Sequence, residues 1–407
     1  MKALEGRVAP ASAQELSEIL ACCDSAGEKV TIVGGDTLSG MGLPPQRADV
    51  TLLTTALNGV VRNERADCTM SALAGTPLQS IATLLATQSQ FVPIDAPQAR
   101  SATLGGTLAA GWLGPRRHLY GRPRDYVIGS TVVLADGTVA RAGGMVVKNV
   151  AGYDMSRLYV GSFGTLGVLA QANLKTMPLP PQARMFFAPL PEHTRARACV
   201  QIAALAIAPA AALWIDGFRA AIGGDDGAEG RIAVLLEGSA PALERATRDV
   251  RSALGRAGVP DTFVVDAGAR QSFERIVDAY VASLGERSIT YRVLKPVQDP
   301  ETSAVAVKEL ARHFGLRFES IADVMNGDLL LRISASDSRR LGAKLENFDD
   351  ALHDLEPRAQ VVACAHPHRT NLQVWGAPPD ALEKMRALKA RFDPNNTLNP
   401  GRFIGGI

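Results

Sequence analysis

A glycine-rich stretch at residues 103–117, Thr-Leu-Gly-Gly-Thr-Leu-Ala-Ala-Gly-Trp-Leu-Gly-Pro-Arg-Arg, constrains this chain more than any other feature. Four glycines fall within ten residues, among Thr, Leu and Ala, which is not the composition of an ordinary hydrophobic core. Glycine lets backbone N–H groups approach a ligand that a side chain would hold away. Adjacent N–H groups that converge in a turn bind anions such as a pyrophosphate. We therefore expect this stretch to contact an anionic ligand.

A second glycine-rich segment, residues 34–42, directly follows a strand predicted at residues 29–33. Before that strand, Ser12 and Glu15 form a capping box that begins a helix, and Gly27 is the residue expected to end it. The segment reads Gly-Gly-Asp-Thr-Leu-Ser-Gly-Met-Gly and matches neither GxGxxG nor the GKT or GKS ending of a nucleotidase loop. Taken alone, it fits a phosphate-binding loop and an exposed glycine turn equally well.

A third glycine segment, residues 161–168, spaces its glycines as GxxGxxG and follows a short helix predicted at residues 155–158. A dinucleotide site of the Rossmann type needs GxGxxG after a strand. The sequence therefore excludes that site here.

Composition limits the remaining possibilities. The length of 407 residues suggests two or three structural units. The net charge of +2 gives no electrostatic reason to expect nucleic-acid binding.

The five cysteines are scattered and form no CxxC pair, so neither a disulfide framework nor a metal site is expected. No signal pattern begins the chain, and the apolar run at residues 199–216 contains Pro209, which favours a buried helix and strand. We expect a cytoplasmic protein.

Changes in amino-acid composition divide the chain into segments. Prolines at positions 178, 180 and 181 suggest a boundary, after which helices and strands alternate without glycine-rich ligand loops. This alternation predicts an α+β layer, with two βαβ-like units as one arrangement. Near the end, a helix begins at a capping box at residues 380–383 and stops at Asp393-Pro394. The Asn/Pro/Gly-rich residues 395–403 then form either a terminal turn or a strand that returns to the ligand site.

Residues 34–42, 97–178 and 393–402 together resemble the flavoenzyme family of the vanillyl-alcohol oxidase and para-cresol methylhydroxylase (PCMH) type. More narrowly, residues 114–117, 148–154, 156–158 and 161–169 resemble the E-type FAD-binding subunits of bacterial glycolate oxidases. The resemblance implies an α+β fold: a two-lobed PCMH-type FAD-binding domain with an inserted α+β cap domain. The implied parts are residues 1–180 (lobes of about 1–50 and 51–180), the cap at 181–379 and a C-terminal return at 380–407.

The resemblance also implies which residues contact FAD. Loop 34–39 would wrap the pyrophosphate, residues 103–111 would cross the cofactor, and Gly167-Val168 would lie along the adenosine. The implied FAD contacts are Gly34, Gly35, Asp36, Thr37, Leu38, Ser39, Pro97, Thr103, Leu104, Gly105, Gly106, Ala109, Gly111, Gly114, Arg117, Gly167, Val168 and Asn399. Relatives with covalent flavin carry a His in the first loop where this chain has Asp36, so the FAD is expected to be non-covalent.

Catalytic residues are less evident. Relatives that oxidise 2-hydroxy acids carry Gly-Glu-His-Gly in the second half, and this chain does not. His366 and His368 could serve as a base or metal ligands on one strand face. A solvated loop is the favoured alternative, since no carboxylate lies nearby in sequence, and no metal is expected. Arg116, with Arg117, would clamp a substrate carboxylate, hold an FAD phosphate or pair with Asp125. Tyr153 is a further weak candidate.

The resemblance leaves three functions open. In the first, the chain is the FAD-binding subunit of a 2-hydroxy-acid dehydrogenase complex acting on glycolate or D-lactate. Its flavin would accept hydride and pass electrons to an iron–sulfur subunit beside a homologous FAD subunit, with peripheral membrane association through that complex left open. In the second, the chain is a non-catalytic FAD-binding subunit that organises the complex or relays electrons. In the third, it is a stand-alone FAD-dependent alcohol or hydroxy-acid oxidoreductase.

Overall fold

The computed structural model describes residues 6–145, 153–218, 230–259, 262–295, 300–365 and 367–407. The chain divides into two units. The first comprises Met1–Leu113, Arg122–Leu179 and Pro378–Ile407, and the second comprises Gly114–Gly121 and Pro180–Ala377. The expected domains placed residues 114–121 with the first unit, whereas the structure groups them with the second.

The regular elements are as follows. In chain order, the α-helices are α1 (Ala13–Ala26), α2 (Leu78–Ala86), α3 (Leu104–Ala110), α4 (Arg117–Tyr120), α5 (Ser156–Tyr159), α6 (Glu192–Ala203), α7 (Ala240–Arg256), α8 (Ala269–Ala279), α9 (Pro300–His313), α10 (Ser338–Leu355) and α11 (Leu382–Phe392). The strands are β1 (Gly6–Val8), β2 (Val30–Val33), β3 (Val50–Leu53), β4 (Val60–Glu64), β5 (Thr69–Leu73), β6 (Gln90–Phe91), β7 (Val127–Val133), β8 (Val139–Gly143), β9 (Val168–Lys175), β10 (Met177–Pro178), β11 (Gln182–Leu190), β12 (Ala211–Asp216), β13 (Gly230–Gly238), β14 (Phe263–Val265), β15 (Ser288–Leu294), β16 (Arg317–Asp323), β17 (Asp328–Ser334) and β18 (Gln360–Cys364).

The first lobe of the first unit is a parallel three-stranded sheet, in the order β1-β3-β2, with helix α1. The Ser12 side chain accepts a hydrogen bond from the Glu15 N–H, and Gly27 takes the left-handed conformation (φ 71°) that ends the helix. Both ends of α1 therefore lie where the sequence predicted them. The helix buries one apolar face in the lobe core, which consists chiefly of Leu16, Leu20, Cys23, Val30, Val50 and Leu52.

The second lobe is an antiparallel five-stranded sheet in the order β4-β5-β9-β7-β8. The predicted Asp-Gly hairpin joins β7 to β8, with Gly137 at φ 84° and the Leu134 N–H donating to the Thr138 carbonyl (2.9 Å). Helices α2 and α3 contribute to the core of this lobe. Its buried members include Met70, Ala72, Ile81, Leu85, Leu104, Leu108, Leu169 and Leu174.

The second unit contains one eight-stranded sheet in the order β14-β11-β13-β12-β16-β17-β15-β18. All of its strand pairs within the described residues are antiparallel. Helices α7 and α8 pack on β11, and α9 packs on β16 and β17.

Strands β11 and β12 are both antiparallel to β13 and so run parallel to each other, with α6 between them in the chain. Strands β15 and β16 flank β17 in the same way, with α9 between them in the chain. The two βαβ-like units are therefore present in split form, with an antiparallel strand inserted in each. Strand β15, Ser-Ile-Thr-Tyr-Arg-Val-Leu, alternates polar and apolar residues, yet all but its last residue are buried, so both faces of this strand are covered.

The C-terminal residues dock on the first lobe. Leu398 forms a parallel bridge with Val30 of β2. The Val30 N–H donates to the Thr397 carbonyl (2.7 Å), and the Asn399 N–H donates to the Val30 carbonyl (2.9 Å). The return strand predicted for this segment is thus reduced to a short parallel pairing along the free edge of β2.

Several local predictions differ from the structure. The sequence offers Thr76, followed by Pro77, as the N-cap of α2, but the N-cap is Pro77 and the Thr76 hydroxyl accepts from the Gly59 N–H (2.9 Å). Helix α11 has Ala381 as its N-cap and makes no side-chain cap bond. No helix within the described ranges is both long enough and apolar enough to cross a lipid bilayer.

Candidate cofactor site

A cleft of about 810 Å³, which includes space open to solvent, lies within the first unit. Its walls come from the end of β2, the start of α3, the loop before β9 and the C-terminal segment. The lining residues are 32–39, 54, 103, 105–107, 109–110, 163–164, 167–169, 399 and 402.

The loop after β2 presents a row of unused backbone donors. The N–H groups of residues 34–38 have no hydrogen-bond acceptor among the described residues. All five residues line the cleft, and Asp36 takes a left-handed conformation (φ 58°) that turns the loop. Successive N–H groups in such a turn form a concave site for an anion. The loop therefore has the geometry expected for binding a phosphate or pyrophosphate.

Close packing explains why this loop begins with two glycines. A Cβ on Gly35 would lie 1.7 Å from the Ser101 carbonyl oxygen, and one on Gly34 would lie 2.4 Å from Thr103 Oγ1. Any larger residue would push the loop away from residues 101–103. The loop at residues 34–38 and the stretch that begins at Thr103 therefore pack closely together, and residues of both line the cleft.

The stretch at residues 103–111 uses three of its backbone N–H groups within the protein. The N–H groups of Leu104, Gly105 and Gly106 donate to the Thr76 carbonyl (2.9 Å), the Ala74 carbonyl (2.7 Å) and Thr103 Oγ1 (3.3 Å). These three groups are therefore not available to a ligand. A Cβ on Gly105 would lie 2.6 Å from the Ala74 Cβ, so the glycine allows α3 to pack against the end of β5.

Asn399 connects two walls of the cleft. Its Oδ1 accepts from the Ile32 N–H (2.9 Å), and its Nδ2 donates to the Phe163 carbonyl (2.7 Å). The residue is buried and takes a left-handed conformation (φ 45°), which asparagine tolerates better than most residues. Both ends of its amide are thus occupied by protein. The structure gives Asn399 the role of holding the walls together as well as lining the cleft.

Lys389 of α11 makes a buried network behind the same wall. Its Nζ donates to the carbonyls of Thr165 (3.0 Å) and Leu398 (2.9 Å) and to Asp393 Oδ2 (2.5 Å). Burial lowers the pKa of Lys389, and the Asp393 carboxylate opposes that shift. Sequence analysis did not single out Lys389. A lysine four residues before the Asp-Pro pair was the available signal, because an i, i+4 spacing allows an ion pair on a helix.

The cleft collects most, not all, of the predicted FAD contacts. Those in its lining are Gly34, Gly35, Asp36, Thr37, Leu38, Ser39, Thr103, Gly105, Gly106, Ala109, Gly167, Val168 and Asn399. Pro97, Leu104 and Gly111 belong to the first unit and are not in the lining, and Gly114 and Arg117 belong to the second unit. Lining residues that the sequence did not indicate are Ile32, Val33, Thr54, Thr107, Ala110, Phe163, Gly164, Leu169 and Arg402.

Arg116 is paired within the second unit rather than with Asp125. Its Nη1 lies 3.2 Å from Glu237 Oε2, and the Tyr120 hydroxyl donates to the same oxygen (2.9 Å). Glu237 is nearly inaccessible to solvent, and Arg270 Nε lies 3.7 Å from its other oxygen. The Asp125 carboxylate belongs to the first unit and caps its own turn by accepting from the Arg122 N–H (2.9 Å).

Arg117 lies in a buried cluster of the second unit. It contacts Asp328 (2.7 Å) and lies 3.8 Å from Asp323, while Arg292 contacts the other oxygen of Asp328. Burial raises the pKa of Asp323 to about 7, against the opposing effect of Arg117. The Asn326 amide also donates to Asp323 (2.7 Å). The two carboxylates thus balance the two arginines in this cluster.

The remaining catalytic candidates receive little support from geometry. Strand β18 ends at Cys364, and His368 falls in a 3₁₀ helix, Pro367–Asn371, rather than in a strand. His366 lies outside the described residues, as does the side chain of His368. Tyr153 is 93% exposed, and the motif at residues 148–154 falls largely outside the described ranges. Among the described residues, no group of His, Cys, Asp and Glu could hold a metal ion.

Comparison with protein families identifies two matches. Residues 4–154 match the FAD binding domain, and residues 375–403 match the C-terminal domain of FAD linked oxidases. The first match covers the loop with the free N–H groups and the start of α3, and the second covers Lys389 and Asn399. Most of the cleft lining therefore falls within the matched ranges, whereas lining residues 163–164 and 167–169 lie outside both.

Comparison with individual proteins extends this result. The glycolate oxidase protein GlcD of Bacillus subtilis is 27% identical over 98% of this chain and 88% of its own length. The glycolate oxidase protein GlcE of Escherichia coli is 39% identical over 37% of this chain and 43% of its own length. The narrower resemblance to the E-type proteins is therefore restricted to one part of the chain, whereas GlcD is similar from end to end.

Among solved structures, para-cresol methylhydroxylase superposes with a TM-score of 0.75 at 15% identity, covering 97% of this chain and 88% of that one. At this identity the similarity establishes the fold alone. That fold is the predicted α+β architecture. The chain therefore contains an FAD-binding domain in the para-cresol methylhydroxylase-type fold and is similar to bacterial glycolate oxidase subunits.

Proposed function

We propose that this chain is the FAD-binding subunit of a complex that oxidises a small 2-hydroxy acid such as glycolate or D-lactate. The observation that carries the proposal is the row of unused N–H groups at residues 34–38, which line a cleft inside the matched FAD binding domain range. A pyrophosphate provides the acceptors that this row lacks. Bound FAD supplies the hydride acceptor for the substrate C2–H, and the protein supplies position and electrostatics.

The roles of the chain's own residues follow from their contacts. The loop at residues 34–38 binds the pyrophosphate, and Arg402 brings a guanidinium to the same lining. Asn399 fixes the distance between β2 and residues 163–164. Since Asp36 occupies the position at which covalent relatives carry a histidine, the FAD is held without a covalent bond.

The proposed partners are a homologous FAD subunit and an iron–sulfur subunit, which would receive electrons one at a time. Similarity to two different glycolate oxidase subunits supports this assignment. The complex would lie in the cytoplasm or at the inner face of the membrane, held there by its other subunits.

A second candidate is a non-catalytic FAD subunit that organises the complex or relays electrons. Two observations favour it over a stand-alone oxidase. The chain has no Gly-Glu-His-Gly motif. Arg116, Arg117, Arg292 and Arg332 of the second unit are each paired with a carboxylate, so a substrate carboxylate would have to displace one of these partners.

Anaerobic mixing of the FAD-loaded chain with glycolate or D-lactate separates the three functions. We expect the flavin absorbance near 450 nm to bleach when the partner subunits are present, because the complex completes the substrate site. Bleaching by the isolated chain would rule out the non-catalytic candidate. No bleaching in a complex whose homologous subunit has lost its own flavin would rule out the catalytic one. Reduction by dithionite serves as the control that the bound flavin is redox-active.

Acid precipitation tests the attachment of the cofactor. We expect all yellow flavin to remain in the supernatant, because no residue of the first loop offers the histidine that covalent relatives use. Absorbance spectra of supernatant and pellet give the result. Flavin in the pellet would show that another residue forms the bond.

The Gly35→Ala substitution tests the loop. Its Cβ would meet the Ser101 carbonyl at 1.7 Å, so the loop must move and the N–H row loses its shape. We expect FAD affinity, measured by quenching of flavin fluorescence, to fall by about tenfold or more, that is about 1.4 kcal/mol or more. Gly255→Ala is the matched control, because a Cβ there meets nothing within 4 Å. Equal affinity of the Gly35→Ala variant and the wild type would contradict the assignment of the loop.

A further inference from the structure

Lys389 is a buried ammonium whose three donors are all used. Its side chain is 9% exposed, and Nζ donates to the Thr165 carbonyl, the Leu398 carbonyl and Asp393 Oδ2. An ammonium group has three N–H bonds and no acceptor, so three acceptors satisfy it completely. The side chain therefore has one defined position.

The acceptors of Lys389 belong to two walls of the cleft. Thr165 lies between Gly164 and Gly167, which both line it, and Leu398 directly precedes Asn399. Lys389 itself is not in the lining. It thus contacts both walls from behind, at the carbonyl groups of residues that face away from the ligand space.

Asp393 extends the same network into the C-terminal turn. Its Oδ1 accepts from the Thr397 N–H (2.8 Å), and its Oδ2 accepts from the Leu398 N–H (2.8 Å). The carboxylate is fully buried, so its charge depends on Lys389 for compensation. Removal of the ammonium leaves this carboxylate unpaired next to the two peptide groups that precede Asn399.

We propose that Lys389 is a positioning residue for FAD: its ammonium fixes residues 163–167 and 398–399 relative to each other and thereby sets the shape of the cleft. This inference rests on the proposed flavin role of the cleft. FAD affinity would then depend on the Lys389–Asp393 ion pair, although neither residue lines the cleft.

A purely structural Lys389 would behave differently from a positioning one. If the ion pair only stabilises the fold, its loss lowers the denaturant midpoint while the molecules that stay folded bind FAD as before. If it positions the walls, FAD binds more weakly to protein that is fully folded. Affinity and stability must therefore be measured separately.

The test compares Lys389→Met with two controls. Lys384→Met makes the same change at an exposed site of the same helix, and Ile81→Ala removes packing from the second-lobe core at a residue outside the cleft lining. The FAD dissociation constant is measured by flavin fluorescence in buffer where circular dichroism shows each variant folded, and the denaturant midpoint is measured alongside. We expect about tenfold weaker binding for Lys389→Met, because two carbonyls and a carboxylate lose their donor. Both controls should stay within about twofold of the wild type, since neither side chain lines the cleft or donates a hydrogen bond to its walls.

A Lys389→Met variant that binds FAD within twofold of the wild type would overturn the proposal, as would an equal loss in Ile81→Ala. If Lys389→Met does not fold, Lys389→Gln replaces it, because the amide keeps two donors without the charge. Weakened binding by folded Lys389→Gln supports the proposal, and wild-type affinity overturns it. Failure of the wild-type chain to bind FAD would instead refute the proposed function.

Discussion

Backbone N–H groups that the chain leaves without acceptors are the constraint on which the rest of this structure depends. Five occur in succession at residues 34–38, directly after β2, with no acceptor in the part of the chain that the structure describes. In a folded protein, such donors are satisfied by water or by a ligand, and their convergence favours an anion. The parallel strand before them and the two glycines at their start place them at the edge of a cleft.

The cleft is assembled from segments that are far apart in the chain. The N–H groups of Val30 and Ile32 are both satisfied by the C-terminal segment, the second through the side chain of Asn399. The same asparagine reaches Phe163, and Lys389 reaches Thr165. Residues 180–377 form a separate unit between these partners in sequence. The site therefore requires the last residues of the chain to be in place.

Local signals in the sequence predicted local structure well. The capping box and Gly27 gave both ends of α1, and the Asp-Gly pair gave the β7–β8 hairpin, because these features act through neighbouring residues. The roles of residues that depend on partners distant in the sequence were harder to predict. Gly105 reads as a ligand-binding glycine, yet it meets Ala74, a partner that no periodicity indicates. Lys389 was missed because its carbonyl acceptors carry no side-chain signature.

The second unit shows the same limit at the level of topology. Its strands were partly predicted, but their antiparallel pairing was not, because strand order depends on contacts across the whole sheet. Charged residues such as Glu237 and Asp328 lie buried and paired with arginines that are distant in the sequence. The cleft expected to bind FAD is formed by the first unit alone. A substrate carboxylate would need a cationic partner, and the buried arginines of these pairs already contact carboxylates of the protein.

Amide hydrogen exchange of the chain with and without FAD tests the central claim most directly. The account predicts that FAD slows exchange in peptides covering residues 32–40, 161–169 and 396–402, since these form the cleft. Exchange at residues 182–190, in the sheet of the second unit, should stay the same. Protection confined to the second unit, with residues 34–38 exchanging at the same rate in both states, would contradict it.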